Sequence, residues 1–467
     1  MNCDLIEKID GEIEAARSAV INDTIRFINI KSVNEAPKDG ALFGEGPKRM
    51  LDEFFSTARR EGFFVTDYGV GVISAAVKEG PIDLGIWLHG DVVPEGDGWT
   101  FPPYDASEYK GCIVGRGATD NKGQLAAAYN LLKIFKKLGI DLKYNVAIFL
   151  GSDEESGKRD IIGMEGNPDA KGFLNVAKAP RLSLVPDASF PVGYGGFGNL
   201  VIKVRSKEKL SSFNFLAGKN DDPGLAVARF NGGACVTIAP DGCEMADEGR
   251  ALSAYTLPRH GTKPDPDGNM ITILAEALSG LSFVSESEKN ILSVVRDLSL
   301  DIYGGWHPVS NKDERLSRLI VYPKAVDTVD NCLEMTLTIR YPHGFTFDSI
   351  VEALSVFANG RGYEVSYTKR GSDSYMLDKD SDVARMLTKV ANTVCEVDKE
   401  PYILTGGTYA HNLPNAYVFG TDSNRPPEDF PKGRGGAHGV DEAVSVDRLQ
   451  RMMRIYARAL IGLEEIL

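Results

Sequence analysis

The sequence predicts an α/β fold, a mainly parallel sheet covered by helices on both faces and interrupted by an α+β insert. Three observations predict it. Short, turn-bounded apolar runs at residues 82–88, 145–150, 182–185 and 416–420 read as strands buried on both faces. Amphipathic helical patterns alternate with these runs, as βαβ units require. After Val192 the texture changes to strands that alternate apolar and polar residues, the pattern of a sheet with one solvated face.

In chain order, residues 4–27 read as an amphipathic helix, and residues 48–61 as another, with Met50, Leu51, Phe54, Phe55 and Ala58 on one stripe. The run at 82–88 is the first buried strand. Residues 122–138 form a helix closed by Gly139, since glycine tolerates the left-handed conformation that ends helices. Strands at 145–150 and 182–187 follow, and Gly193-Tyr194-Gly195-Gly196-Phe197-Gly198 is a hinge candidate. Beyond it, Leu333-Glu334-Met335-Thr336-Leu337-Thr338-Ile339 alternates as a strand, and residues 269–281, 286–298 and 347–357 carry helical periodicity. Helix and strand resume from residue 380. A discontinuous domain of residues 1–192 and 374–467 is therefore expected around an insert of residues 193–373.

At 467 residues the chain exceeds what one core usually organises, while 43% hydrophobic and 25% charged residues are ordinary for globular proteins. The net charge of −14 argues against nucleic acid or an anionic membrane as partner, because either favours a basic face. No stretch approaches roughly 18 uninterrupted apolar residues, and Met1 to Lys8 are too charged for a secretory segment, so a cytoplasmic location is expected. The six cysteines show no C-x-x-C spacing, and free thiols are expected.

Chemistry concentrates where the apolar runs stop. His89 and Asp91 follow the run at 82–88, Glu154 and Glu155 follow that at 145–150, and Asp187 ends the strand at 182–187. Asp120 precedes the helix at 122–138, and His438 lies in a glycine-rich loop after the run at 416–420. In open α/β sheets such residues emerge at one rim. Imidazole and carboxylate ligands suit zinc, carboxylate-rich sites also accept manganese, and a bridging carboxylate can hold two ions that together activate water and polarise a carbonyl. Of the pair Glu154 and Glu155, one can bind metal while the other moves protons as a general base. Asp91 is placed to accept the second imidazole N–H of His89 and fix its tautomer.

These motifs resemble the co-catalytic dinuclear zinc peptidase and aminoacylase family, which includes carnosinase, the aminoacylases, succinyl-diaminopimelate desuccinylase and the bacterial dipeptidase PepV. The run from His89 through Trp99, then Pro102-Pro103-Tyr104, Gly115 through Gly123, and Pro186 through Val192 are most similar to the dipeptidase branch, and the likeness spans roughly residues 15–460. The resemblance implies a phosphorylase/hydrolase-like catalytic domain with an inserted lid. It implies two divalent ions, zinc foremost with manganese or cobalt as alternatives, with Asp120 bridging, His89 and Asp187 on one ion, Glu155 and His438 on the other, Glu154 as general base, and a cis peptide after Asp120. It further implies that His260 stabilises the oxyanion from the lid, that Arg340 grips the substrate's carboxylate, and that the loop containing Gly407 donates backbone N–H groups to it.

The expected activity is hydrolysis of dipeptides by a broad-specificity enzyme acting as a monomer, with a dimer as the alternative. An N-acyl amino acid deacylase or desuccinylase is the nearest rival, and a non-catalytic peptide-binding protein the rival of another class; the complete ligand set with Glu154 argues against the latter. Thr237 stands where the family often has asparagine and His411 where arginine is expected, so substrate preference is open at both. His307, His343 and His411 are assigned no site role.

Overall fold

A computed structural model describes residues 3–164, 167, 169–219, 222–256, 269–310, 318–421, 430–431 and 433–467. Two compact units emerge: unit 1 comprises Met1–Gly195, Met376–Leu404 and Thr408–Leu467, and unit 2 comprises Gly196–Tyr375 with Thr405–Gly407. No helix among the described residues is long and apolar enough to cross a membrane.

Unit 1 is built on a nine-stranded sheet whose middle strands, Val146–Gly151, Leu84–His89, Leu182–Val185 and Ala416–Val418, lie side by side and parallel. Every residue of the first three is buried, the signature of a sheet covered on both faces. Antiparallel strands complete the edges, Ile73–Ala76 and Phe64–Asp67 on one side and Gly193–Gly196 on the other. Because His89 pairs with Gly151, whatever follows these two strands emerges at the same height on the same rim. The helix Lys122–Leu138 is buried along most of its length, and Gly139 ends it in the left-handed conformation with φ of 64°. A small sheet of Ala443–Ser445, Cys112–Val114 and Ser107–Tyr109 brings the segment before residue 443 against the segment after residue 114.

One local expectation changes. The helix expected over 4–27 is two helices, Cys3–Ala15 and Arg17–Ile28, although backbone bonds from Ala16 N to Glu12 O and from Val20 N to Ala16 O span the gap. The glycine run expected as a hinge does lie at the boundary between the units, where it forms the buried strand Gly193–Gly196 and opens the next, Gly198–Ser206. Its glycines serve close packing: a Cβ on Gly198 would lie 2.2 Å from the Tyr341 ring.

The chain leaves unit 1 through Gly193–Gly196 and returns along Tyr375–Met376, its neighbour in the sheet. Leu377 N donates to Tyr194 O within unit 1, and Gly371 N donates to Asn199 O within unit 2. Unit 2 is an eight-stranded sheet in which Cys332–Tyr341 lies between Ile320–Val329 and Gly198–Ser206, all antiparallel. Burial alternates along Gly198–Ser206, so one face carries Leu200, Ile202 and Val204 into a core shared with the helices Met270–Ser279, Glu286–Leu300 and Phe347–Asn359.

Candidate metal centre

The parallel strands of unit 1 deliver their C-terminal residues to one point. His89 Nε2 lies 2.9 Å from Asp120 Oδ1, and His438 Nε2 lies 3.2 Å from Asp120 Oδ2 and 3.0 Å from Glu155 Oε1. Asp187 joins His89 and Asp120 in one group whose candidate ligand atoms all lie within 4.8 Å of one another, and Asp120, Glu155 and His438 form a second. Asp120 is common to both. The donor set, two imidazoles and three carboxylates in two overlapping groups, fits a pair of divalent ions of the zinc or manganese kind. The Asp120–Asn121 peptide is cis, and Gly117, with φ of 90°, turns the loop where a Cβ would press on Val92 and Lys122.

The electrostatics are those of carboxylates crowded out of water. Burial raises Asp187 well above the ordinary carboxylate range, with the charges of Asp120 and Glu154 adding to it. Burial and Asp120 likewise lift Glu155 to about 7. For Asp120 burial acts upward too, but His438 and His89 outweigh it and hold the group down. His438 is raised to about 11 by its hydrogen bonds to Asp120 and Glu155, and His89 is raised because Asp120 and Asp91 overcome its desolvation. Protons thus sit where divalent cations would replace them, and loading such ions releases protons.

Glu154 belongs to neither group. It is 6% exposed, its Oε1 lies 3.0 Å from Lys158 Nζ, and Lys158 also donates to the Glu154 carbonyl at 3.0 Å. Desolvation would lower the Lys158 ammonium, but Glu154, Asp187 and Glu155 outweigh it and raise it. Asp91 does more than expected of a tautomer-setting acid. The nearer partner of His89 Nδ1 is the Asp91 carbonyl at 3.0 Å, with the carboxylate at 3.6 Å. The Asp91 carboxylate instead accepts the backbone N–H groups of Glu154 at 3.1 Å and Glu155 at 3.0 Å, tying the two strand-end loops together. Beneath the second loop, buried Asp160 accepts from Ser152 N, Asp153 N and the Tyr409 hydroxyl.

His260 falls outside the described residues. Arg340 lies in unit 2, where Nη1 donates to Thr405 O at 2.8 Å and Nε has no partner among the described residues; Gly407 is two residues further along the same loop. His411 caps the turn Tyr409–His411 by accepting Thr408 N, His307 packs against Phe345, and His343 and Thr237 are exposed.

The sequence motifs assign no role to Arg116 or Glu442. Both are fully enclosed and ion-paired at 2.6 Å. The available signal was a charged residue set directly against an apolar strand, Glu442 before Ala443-Val444, which demands a buried partner.

The family model for peptidase family M20/M25/M40 matches residues 86–462. A Staphylococcus aureus (strain MW2) protein provisionally named a dipeptidase is 26% identical over 487 aligned residues, covering 97% of this chain and 98% of the relative. A di-peptidase of Saccharomyces cerevisiae shares the fold, with a TM-score of 0.58, 14% identity and 98% of both chains covered. A Bacillus subtilis protein described as a dinuclear metal binding peptidase superposes with a TM-score of 0.52 at 12% identity, covering 97% of this chain and 100% of its own.

Proposed function

The chain belongs to peptidase family M20/M25/M40, and from that premise we propose that this metallopeptidase hydrolyses the peptide bond of dipeptides with broad side-chain specificity. The observation that carries the reading is Glu154, a carboxylate held beside two overlapping ligand groups and contributing to neither. His89 and Asp187 would hold one divalent ion, Glu155 and His438 the other, and Asp120 both. Zinc is the first choice, with manganese or cobalt as alternatives. Ions bound there would lower the pKa of a water and polarise the scissile carbonyl.

Glu154 then takes a proton from the attacking water and passes it to the leaving nitrogen, and the water's second proton follows, so that the amide becomes a carboxylate and an ammonium group. Lys158 keeps that carboxylate in place through its 3.0 Å contact. Asp91 holds the Glu154-Glu155 backbone and, through its carbonyl, the ring of His89. Arg340 offers the substrate's terminal carboxylate a planar guanidinium with a free Nε–H, the loop at Gly407 adds backbone N–H groups, and His260 supplies an oxyanion donor. The protein works as a monomer in the cytoplasm, in keeping with free cysteines at 112, 235, 243, 332 and 395.

The test is a panel of dipeptides and N-acyl amino acids offered to protein loaded with zinc or manganese. Turnover of dipeptides with a free amine, and little of their N-acyl counterparts, is expected. Preference for the N-acyl compounds would move the enzyme to the deacylases.

A further inference from the structure

We infer that Glu442, paired with Arg116, is a positioning residue that sets Asp120 for both ions at once; the inference rests on the two-ion reading above. Both side chains are in unit 1, 0% and 1% exposed. Glu442 spends all of its accepting capacity on the loop that carries Asp120. Its Oε2 accepts Arg116 Nη1 at 2.6 Å and Gly117 N at 3.1 Å, and its Oε1 accepts Thr119 N at 3.0 Å and Asp120 N at 3.0 Å. Arg116 extends the tie through Nη2 to the carbonyls of Pro94 at 3.3 Å, Glu95 at 3.2 Å and His438 at 3.4 Å. One ion pair therefore fastens the loop after His89, the loop of Asp120 and the loop of His438.

Chemistry makes this arrangement intolerant of the smallest change. In a Glu442→Gln variant one oxygen becomes an NH2 group. Placed at the Oε1 position it faces the N–H groups of Thr119 and Asp120, and placed at the Oε2 position it faces the guanidinium and the Gly117 N–H. Either way donors oppose donors, and the Asp120 backbone turns away. Because Asp120 is the residue common to both ligand groups, both ions loosen together rather than one alone.

The experiment is calorimetric titration with Mn2+ of the full-length protein, well below the melting temperature of each variant. Glu442→Gln should weaken both ions by about 10- to 100-fold, the range for residues that orient ligands from behind. Glu442→Asp, which keeps the charge with a shorter reach, should recover part of the loss. If Glu442→Gln does not fold because Arg116 is left buried and unpaired, the double variant Arg116→Met, Glu442→Gln removes that charge and should still lose affinity for both ions. Glu288→Gln, in unit 2, serves as the structural control: it should melt lower and bind Mn2+ as the unsubstituted protein does. Wild-type affinity for both ions in Glu442→Gln and in the double variant would overturn the inference. Failure of the unsubstituted protein to bind two ions would remove the two-ion reading beneath it, a result the first titration separates from the rest.

Discussion

Glu442 in unit 1 and Glu288 in unit 2 are both carboxylates closed off from solvent and ringed by donors, and their titration moves in opposite directions. Glu288 accepts backbone N–H groups from Ser211, Ser212 and Ser285 and hydroxyls from the same three serines. Burial pushes it up, but the N–H groups of Ser212, Ser211 and Ser285 outweigh that and bring it down to about 2. Glu442 has three N–H groups and a guanidinium, yet burial raises it, and Asp120 adds to the rise against the pull of Arg116. Donors alone do not decide the state of a buried acid; at Glu442 burial outweighs them, and the charge of Asp120 adds to it. Unit 2 uses a carboxylate to fasten a helix start to a loop, whereas unit 1 crowds acids where each makes the next harder to ionise. Such crowding is the mark of a site kept for chemistry at a cost in stability.

The contrast breaks most visibly at Glu154. In Glu154→Gln, turnover of a dipeptide should fall by about 10²- to 10⁴-fold, while metal analysis still finds two equivalents. Near-normal turnover would take the chemistry away from this residue. Next in size, Asp187→Asn should weaken binding of an ion by at least about tenfold, since even ligand-orienting neighbours are worth that much. The metal-free variant should melt no lower than the unsubstituted protein, because burial, Asp120 and Glu154 already favour the neutral acid there. A clear drop in the metal-free melting temperature would mean that Asp187 fastens the fold as Glu288 does.

Glu288→Gln should behave in the opposite sense. Setting an NH2 group against the serine donors costs about 1 to 3 kcal/mol, which a melting curve reads as roughly 2 to 4 °C per kcal/mol in a unit of this size, with metal content unchanged. The same contact sets a pH dependence. With a folded value of about 2 against an ordinary 4.5, the Glu288 contribution is present above about 4.5 and is lost as pH falls towards 2. Urea unfolding at several pH values in that window should fall less steeply in Glu288→Gln than in the unsubstituted protein; parallel slopes would show that another group governs the acid limb.

Much of this was legible in the sequence because a strand buried on both faces leaves an unbroken apolar run, and the first polar residues after it must surface at the rim. His89, Glu154, Glu155 and Asp187 are visible on that ground alone, and the parallel register of His89 with Gly151 explains why they meet. What stayed hidden depends on partners far along the chain. Arg116 and Glu442 are 326 residues apart, and no local periodicity reports that two loops share one ion pair. The carboxylate of Asp91 looked like a partner for a ring two residues away, yet it is taken by N–H groups more than sixty residues on. The glycines from 193 to 198 read as a joint and do hold the boundary between the units, but the packing of the Tyr341 ring against Gly198 left no local signal because it lies on another strand.

The paired strands at which the chain departs for unit 2 and comes back make that unit a parenthesis in the text of the protein. Closing the gap between Gly195 and Met376 with a short turn would turn two neighbouring strands into a hairpin and leave the order of the remaining strands of the unit 1 sheet unaltered. A gene with this punctuation can exchange, enlarge or shed the enclosed passage in a single event. The segments that flank the passage carry the candidate metal ligands found among the described residues.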